Sequence, residues 1–544
     1  MAVTVDLGGR QGVFSIMVGS VHHTLSTCPE THIDKAHHLV LKEVFILTEN
    51  DSERSQLSRR QLVKYAGVGA TLAAASPLVG AGAAWAQEDD RHDHQGNENS
   101  SRNRVWRAGD HHIHSEYSGE FDTSVNPPVF SKGADAVYPI VTNAIMAKNF
   151  GLTWAMCTDH GGPTHSKVNL EQAYPDLLLS RRLVPEVLQF WGMEFDAPAM
   201  DHHTLMIPRH DDEAKMLYDL ESKFAKNDPF PADPSWNTEA KMIEFLKYAK
   251  DLRHKPLVIA HHAARSAPGF YQWGQDTPRE FRNNQDAAPD VYVGFEGAPG
   301  HQAGPLNGGD RGGYGNYPTH GGYDQMTARV GGLWDALLGE GRRWWITATS
   351  DSHVHWTRGG SDFWPGEYSK TYVHARQDYA DIMDGLRNGR IWVTTGDLVT
   401  SLDITASGQG RDAAVGETVT LSRRNRTDVE IEIRFRPLNG KNHNGDRPEV
   451  RRVDLIVGQI TGPVANRDAD TNPTTKVVAR FGPRDWRKQG NEYVIKHTLR
   501  NVETDMYARV RGTSTDEAEP LADGQESPWD DLWFYSNPVF VRIR

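Results

Sequence analysis

Residues 105–114 read Val105-Trp106-Arg107-Ala108-Gly109-Asp110-His111-His112-Ile113-His114, an apolar start that runs into an acid and three imidazoles. Residues two apart on an extended segment point the same way, so His112 and His114 can hold one metal ion together. The arrangement recurs along the chain. Thr158-Asp159-His160 follows the apolar run 152–157, His261-His262 follows 257–260, and Ser350-Asp351-Ser352-His353 follows 344–349. Glu194 sits near the end of the run 187–195, and His202-His203 opens the alternating stretch 204–207. One histidine at a strand end is ordinarily a hydrogen-bonded structural residue. Imidazoles and carboxylates after strand upon strand are harder to read as packing, because each must be paired or desolvated. Parallel strands rolled into a barrel bring such ends to one mouth.

Working outward, residues 105–396 alternate between strand-like and helix-like patterns, which predicts an α/β fold with parallel strands. Helices are expected over 136–150, 238–252, 333–338 and 379–386, the first and third ending at Gly151 and Gly339. From 397 to 544 the pattern changes. Val429-Glu430-Ile431-Glu432-Ile433-Arg434-Phe435 alternates strictly, and 453–457, 493–499, 506–510 and 539–543 look alike. These strands predict a separate, antiparallel all-β sandwich-like domain. Residues 87–104 are polar, lack apolar periodicity and read as a linker that includes His92 and His94.

The 544-residue chain has 59 basic and 72 acidic residues, a net charge of −13, which argues against a broad nucleic-acid-binding face. Two cysteines, Cys28 and Cys157, make no disulfide framework, and Cys157 reads as a buried strand residue. Residues 1–86 read as a leader. Ser58-Arg59-Arg60-Gln61-Leu62-Val63-Lys64 is a twin-arginine pattern, a Gly- and Ala-rich run follows, and Ala84-Trp85-Ala86 is a small-x-small cleavage site before Gln87. Pro77 and the small residues make that run a poor bilayer span. The expected partners are the twin-arginine export machinery and a small-molecule ester. The mature chain is expected to lie in the periplasm or otherwise outside the cytoplasm, without a membrane span.

The polar clusters together resemble the PHP family, named for polymerase and histidinol phosphatase, over roughly 108–396. Asp110, His112 and His114 match its Asp-x-His-x-His opening; Asp159 and His160 match its Thr-Asp-His; Gly192-Met193-Glu194 matches its Gly-x-Glu. His203, with His202 as competitor, matches a histidine before an alternating stretch. Ala260-His261-His262 stands where the family has Ala-His-Pro, and Ser350 to His353 keeps its Ser-Asp-x-His. The resemblance implies a distorted seven-stranded (β/α) barrel holding two or three divalent ions, such as zinc, manganese or iron. It implies that His112, His114, Glu194 and Asp351 hold one ion. Glu194 would bridge to a second held by His203 and His261, and His160 and His353 would hold a third. Glu120, with Asp122 as the alternative, stands for a further ligand after the His-x-His motif. Glu194, Asp351 and His261 would carry the catalysis.

That chemistry is hydrolysis by metal-activated water, foremost of a phosphoester. A carbamate or carboxyl ester is the alternative substrate, and a metal- or ligand-binding protein the non-enzymatic alternative. Other residues have two readings each. Arg265 and Arg358 either bind a phosphate oxygen or are surface arginines. Gly294-Phe295-Glu296-Gly297, with His301, either lines a pocket or is a Gly-rich structural loop. Residues 361–368 form either a substrate lid or a packed aromatic turn. Asp159 either orients a ligand imidazole or caps a turn.

Overall fold

The computed structural model describes residues 2–6, 11–15, 103–300, 319–523 and 527–544. The twin-arginine segment, most of the expected linker and His301 lie outside them. The chain divides into two units, Met1–Gly96 and Asn97–Arg544. In the first, Ala2–Asp6 and Gln11–Ser15 pair as an antiparallel hairpin.

The second unit is mixed α/β. Its first seven main strands are β1 (Val105–Ile113), β2 (Trp154–Cys157), β3 (Leu188–Asp196), β4 (His202–Ile207), β5 (Leu257–Ala260), β6 (Tyr292–Ala298) and β7 (Trp345–Ala348). They lie side by side in chain order, from β1 to β7. Most neighbours are parallel, but β4 is antiparallel to both β3 and β5. The expected all-parallel arrangement is therefore corrected to a mixed one. The turn between β3 and β4 spans only residues 197–201, too short for a parallel crossover. Strands β5, β6 and β7 are buried along their whole length, as strands covered on both faces must be.

Helices α1 (Ile140–Asn149), α2 (Tyr174–Leu183), α3 (Glu213–Phe224), α4 (Glu239–Asp251), α5 (Pro278–Ala287), α6 (Leu333–Gly339) and α7 (Tyr379–Arg387) connect the strands. In α4, Thr238 caps the N-terminus by accepting from Lys241 N–H, and Met242, Phe245, Leu246 and Ala249 form the buried face. Thr277 and Glu280 make a capping box at α5.

On the other side of β1 lie β8 (Ser369–Ala375) and β9 (Ile391–Thr395), both antiparallel to their neighbours. The sheet curls until β7 faces β8. Side chains join the two: Thr371 Oγ1 accepts from Ala348 N–H (2.8 Å) and donates to its carbonyl (2.7 Å). Asn537 likewise spans Ile346 and Ile391. Gly109 in β1 is required by contact, since a Cβ there would fall inside the indole of Trp154.

The C-terminal strands are β10 (Val399–Gly408), β11 (Arg411–Ala414), β12 (Thr418–Leu421), β13 (Val429–Pro437), β14 (Arg452–Gln459), β15 (Lys476–Phe481), β16 (Arg487–Gln489), β17 (Glu492–Leu499), β18 (Met506–Thr513), β19 (Trp533–Ser536) and β20 (Val539–Ile543). They are antiparallel except for the pair β12–β20. Five of them form a separate sheet in the order β11-β10-β13-β17-β16. The others continue the first sheet, because β19 pairs with β9 and leads to β18, β14 and β15. Hydrogen bonding thus runs unbroken across the expected boundary at 396/397. Ile404, Ile431 and Ile433 of the five-stranded sheet share a core with Leu455, Val510 and Phe534 of the long one.

A buried ion pair fastens α6 to β18. Arg509 donates to both oxygens of Asp335 (2.9 and 2.7 Å), both side chains are inaccessible to solvent, and Tyr507 donates to the same carboxylate. Replacing Asp335 with alanine leaves a guanidinium buried without its counter-charge, which costs about 3–5 kcal/mol. Urea unfolding at fixed metal loading should show that loss; a change below about 1 kcal/mol would contradict the role assigned to the pair.

Candidate metal centre

The C-terminal ends of β1, β2, β3, β5, β6 and β7 and the N-terminal end of β4 open at one mouth. Beyond Ala348 the chain runs beside β1: His114 N–H donates to Ser352 O (2.9 Å), and Asp110 accepts from His112 N–H (3.0 Å) and Ser350 N–H (3.1 Å). This lays Asp351 against His112 and His114. Asp351 (φ 47°) and His262 (φ 23°) both have left-handed backbone, the kind of local strain that collects at functional sites. Gly300 (φ 85°) lies so close to Ser350 and Asp351 that a side chain there would collide with them.

Glu194 is the centre of the group and fully buried. Its Oε1 lies 2.9 Å from His261 Nδ1, 3.0 Å from His262 Nε2, and 3.2 Å from both His112 Nε2 and His202 Nδ1. Its Oε2 lies 2.6 Å from His160 Nδ1 and 3.6 Å from His114 Nε2. Asp351 Oδ1 lies 2.9 Å from His112 Nε2 and 3.1 Å from His114 Nε2, and those two nitrogens are 3.1 Å apart. Donors at ~2.0–2.1 Å from a tetrahedral ion are ~3.3 Å from one another, close to this spacing.

Several buried His, Asp and Glu groups are positioned to hold metal ions. Donor atoms within 4.8 Å of one another occur in His112–Glu194–His261–His262, His112–His114–Asp351, His160–Glu194–His202, His114–His160–His353 and His111–His261–Glu296. Two atoms show that hydrogen bonding alone does not account for the packing. Glu194 Oε2 and His202 Nδ1 are buried and make no hydrogen bond, although a nitrogen and an oxygen lie 2.6 and 3.2 Å away. Donor atoms this close and this deeply buried are compatible with a shared cation.

Other residues orient the rings. Glu296 Oε1 accepts from His112 Nδ1 (2.7 Å) and from Thr349 Oγ1 (2.8 Å), and Oε2 accepts from His262 N–H (2.7 Å). His112 is left with Nε2 toward Glu194 and Asp351, the usual carboxylate–histidine–metal relation. His114 Nδ1 bonds Ser118 Oγ (2.8 Å), which donates to Asp159 (2.9 Å). Asp159 also accepts from Ser115 N–H and Oγ, so it both holds the turn and orients His114 through Ser118. His353 Nδ1 bonds Asp351 O (2.9 Å), leaving Nε2 toward the cluster.

Of the expected ligands, His112, His114, His160, Glu194, His261, Asp351 and His353 come together. His203 does not: its Nδ1 bonds Asp201 O (3.0 Å) and its Nε2 bonds Tyr292 OH (2.9 Å). Neighbours on a strand face opposite ways, so turning His203 into the core turns His202 to the mouth. Burial takes His203 down to about 3, a ring kept neutral in the core. Glu120 and Asp122 are exposed on a hairpin with Val129–Ser131, outside the cluster. Asp135, farther along, reaches His160 Nε2 (3.1 Å) and His353 Nε2 (3.2 Å) instead. Arg265 is paired with Asp201 (3.1 Å), and burial together with the Arg265 charge disfavours protonation of nearby His262; Arg358 is exposed on a turn. In 361–368, Phe363 and Tyr368 are buried in the C-terminal core and Trp364 stacks on His355, which makes the segment a packed turn. Sequence reasoning missed Asp135 as a cluster member and left His262 without a role. Glu296 figured only as part of the stretch Gly294-Phe295-Glu296-Gly297 that could line a pocket.

Electrostatics follow from the crowding. Burial opposes ionisation of Glu194, but His202, His160 and His112 hold it well below the usual carboxylate range. Burial also opposes charge on the rings, yet Glu194 lifts His160 to about 9 and His202 to about 10, and Asp135 and Asp362 lift His353 to about 10. Against the same burial, Asp351, Glu296 and Glu194 hold His112 well above its ordinary value. Burial and neighbouring cations keep His114, His261 (about 3) and His262 low. The exposed edge is formed by His160, His202 and His353, whose side chains are 28, 21 and 13% accessible.

Compared with known proteins, the chain matches no family model and no curated protein.

Ligand nitrogens must shed protons to bind an ion. Glu194, Asp135 and Asp362 favour the protonated forms of His160, His202 and His353, raised to about 9, 10 and 10, so protons would compete with an ion there at neutral pH. Apparent metal affinity should therefore rise from about pH 6 to about pH 9, and loading near pH 7 should release protons. Calorimetric titration in buffers of different ionisation enthalpy checks this; heats independent of the buffer would contradict it.

Proposed function

We propose that the chain is an exported metal-dependent hydrolase, most directly a phosphoesterase of the PHP type, working at a multinuclear site centred on Glu194. The observation that carries this reading is one buried carboxylate within 3.6 Å of six imidazoles. The donor set supports more than one ion, since His112–His114–Asp351 and His160–Glu194–His202 are two close groups with no residue in common.

In this reading His112, His114, Asp351 and Glu194 hold one ion; Glu194, His202, His261 and His262 a second; Asp135, His160 and His353 offer a third position. The ions, zinc, manganese or iron, supply Lewis acidity and a water of lowered pKa. The chain's own residues do the rest. Glu194 offsets the mutual repulsion of two neighbouring cations. Glu296 and Ser118 keep His112 and His114 in one orientation. His160, His202 and His353 form the open edge that a small ester meets first, and Arg265, anchored by Asp201, stands beside His262 to receive an anionic oxygen. The twin-arginine pattern at Arg59-Arg60 in the sequence supports the export reading, and among the described residues no helix is long and apolar enough to cross a membrane.

Glu194→Gln keeps size and removes the charge between the ions. It should lose at least one metal equivalent, and turnover should fall by more than the ~100-fold that loss of an outer partner costs. Glu171→Gln, at an exposed site, should change neither. Elemental analysis, with chromogenic phosphomonoester, phosphodiester and carboxyl-ester substrates, gives both readouts. Full stoichiometry and turnover in Glu194→Gln would defeat the bridge, and turnover of the carboxyl ester alone would move the substrate class.

A further inference from the structure

One close donor group, which shares His261 with the second position, was given no ion of its own. His111, His261 and Glu296 are close enough to hold an ion, but the ring nitrogens of His111 are already engaged. His111 is fully buried; its Nδ1 lies 2.8 Å from Thr204 Oγ1 and its Nε2 2.8 Å from Thr347 Oγ1. Thr204 Oγ1 also contacts His261 Nε2 at hydrogen-bond range. The pairing of β1 with β2 shifts register between Asp110 and Ile113, where these histidines lie. His111 there reaches across to β4 and β7, while its neighbour His112 reaches Glu194 and Asp351 at the mouth.

We propose that His111 and Thr204 form a relay that fixes the tautomer of His261, and that this group is not a further ion site. The inference rests on the metal reading above. A Thr hydroxyl has one proton, so the chain of contacts has two polarities. In one, His261 Nε2–H donates to Thr204, Thr204 donates to His111 Nδ1, and His111 Nε2–H donates to Thr347. His261 Nδ1 then keeps a lone pair facing Glu194 Oε1, 2.9 Å away, and can bind the shared ion. In the other, Thr204 donates to His261 Nε2, the proton sits on Nδ1, and His261 is no ligand. The relay takes the first polarity, with the proton of His111 on Nε2 toward Thr347 and its Nδ1 accepting from the Thr204 hydroxyl. His111 is a positioning residue; it touches neither substrate nor ion.

The test compares Thr204→Val, Thr204→Ser and His111→Leu with the wild-type protein, by zinc titration against a chromophoric chelator and by spectra of the ¹⁵N-histidine-labelled protein. Thr204→Val and His111→Leu should weaken one zinc equivalent by ~10–100-fold while leaving the others in place, and Thr204→Ser should restore it to within about threefold. In the zinc-loaded wild-type protein both His111 and His261 should carry the proton on Nε2. Equal affinity in all four proteins, or a proton on His111 Nδ1, would overturn the relay. Loss of a whole equivalent in His111→Leu but not in Thr204→Val would make His111 a ligand and overturn it too. A wild-type protein that binds no zinc at any site would instead defeat the metal reading, a separate result.

Discussion

A carboxylate with no access to water needs cations around it, and Glu194 has six imidazoles within 3.6 Å. Much of the mouth answers that requirement. That crowding holds Glu194 below the usual carboxylate range and raises His112, His160, His202 and His353, and in the proposed reading these same positions hold the ions. Asp351 and Glu296 extend the negative charge on one side, and Asp135 does so on the open side.

The scaffold serves this constraint through short, side-chain-mediated links. Strand ends bring the donors together, and the segment after β7 is laid against β1 by Asp110 and by the Ser352 carbonyl. The rolled sheet is fastened between β7 and β8 by Thr371, and between β7 and β9 by Asn537. The C-terminal strands extend the same sheet, and the Arg509–Asp335 pair locks them to α6. The β region is thus part of the framework around the site.

Much of the site was legible because its donors fall at the ends of apolar runs. Strand ends and motif spacing pointed to His112, His114, His160, Glu194, His261, Asp351 and His353, which do come together. What was not legible has physical causes. The choice between His202 and His203 depends on which face of an antiparallel strand looks to the mouth, and the register of β4 with β3 decides it. Asp135 lies beyond a hairpin that sequence reading stopped within. Glu296 acts through His112, a contact between residues 184 apart in the chain. The continuity of the sheet past residue 396 was hidden because β9 pairs with a strand near the C-terminus.

Diffraction from crystals of the protein purified with its metal, recorded above and below the absorption edge of that metal, tests the central claim most directly. The account predicts at least two anomalous peaks, one on each side of the Glu194 carboxylate, the first bounded by His112, His114 and Asp351 and the second by His202, His261 and His262. A protein that carries metal by elemental analysis yet shows no anomalous peak beside Glu194 would contradict it.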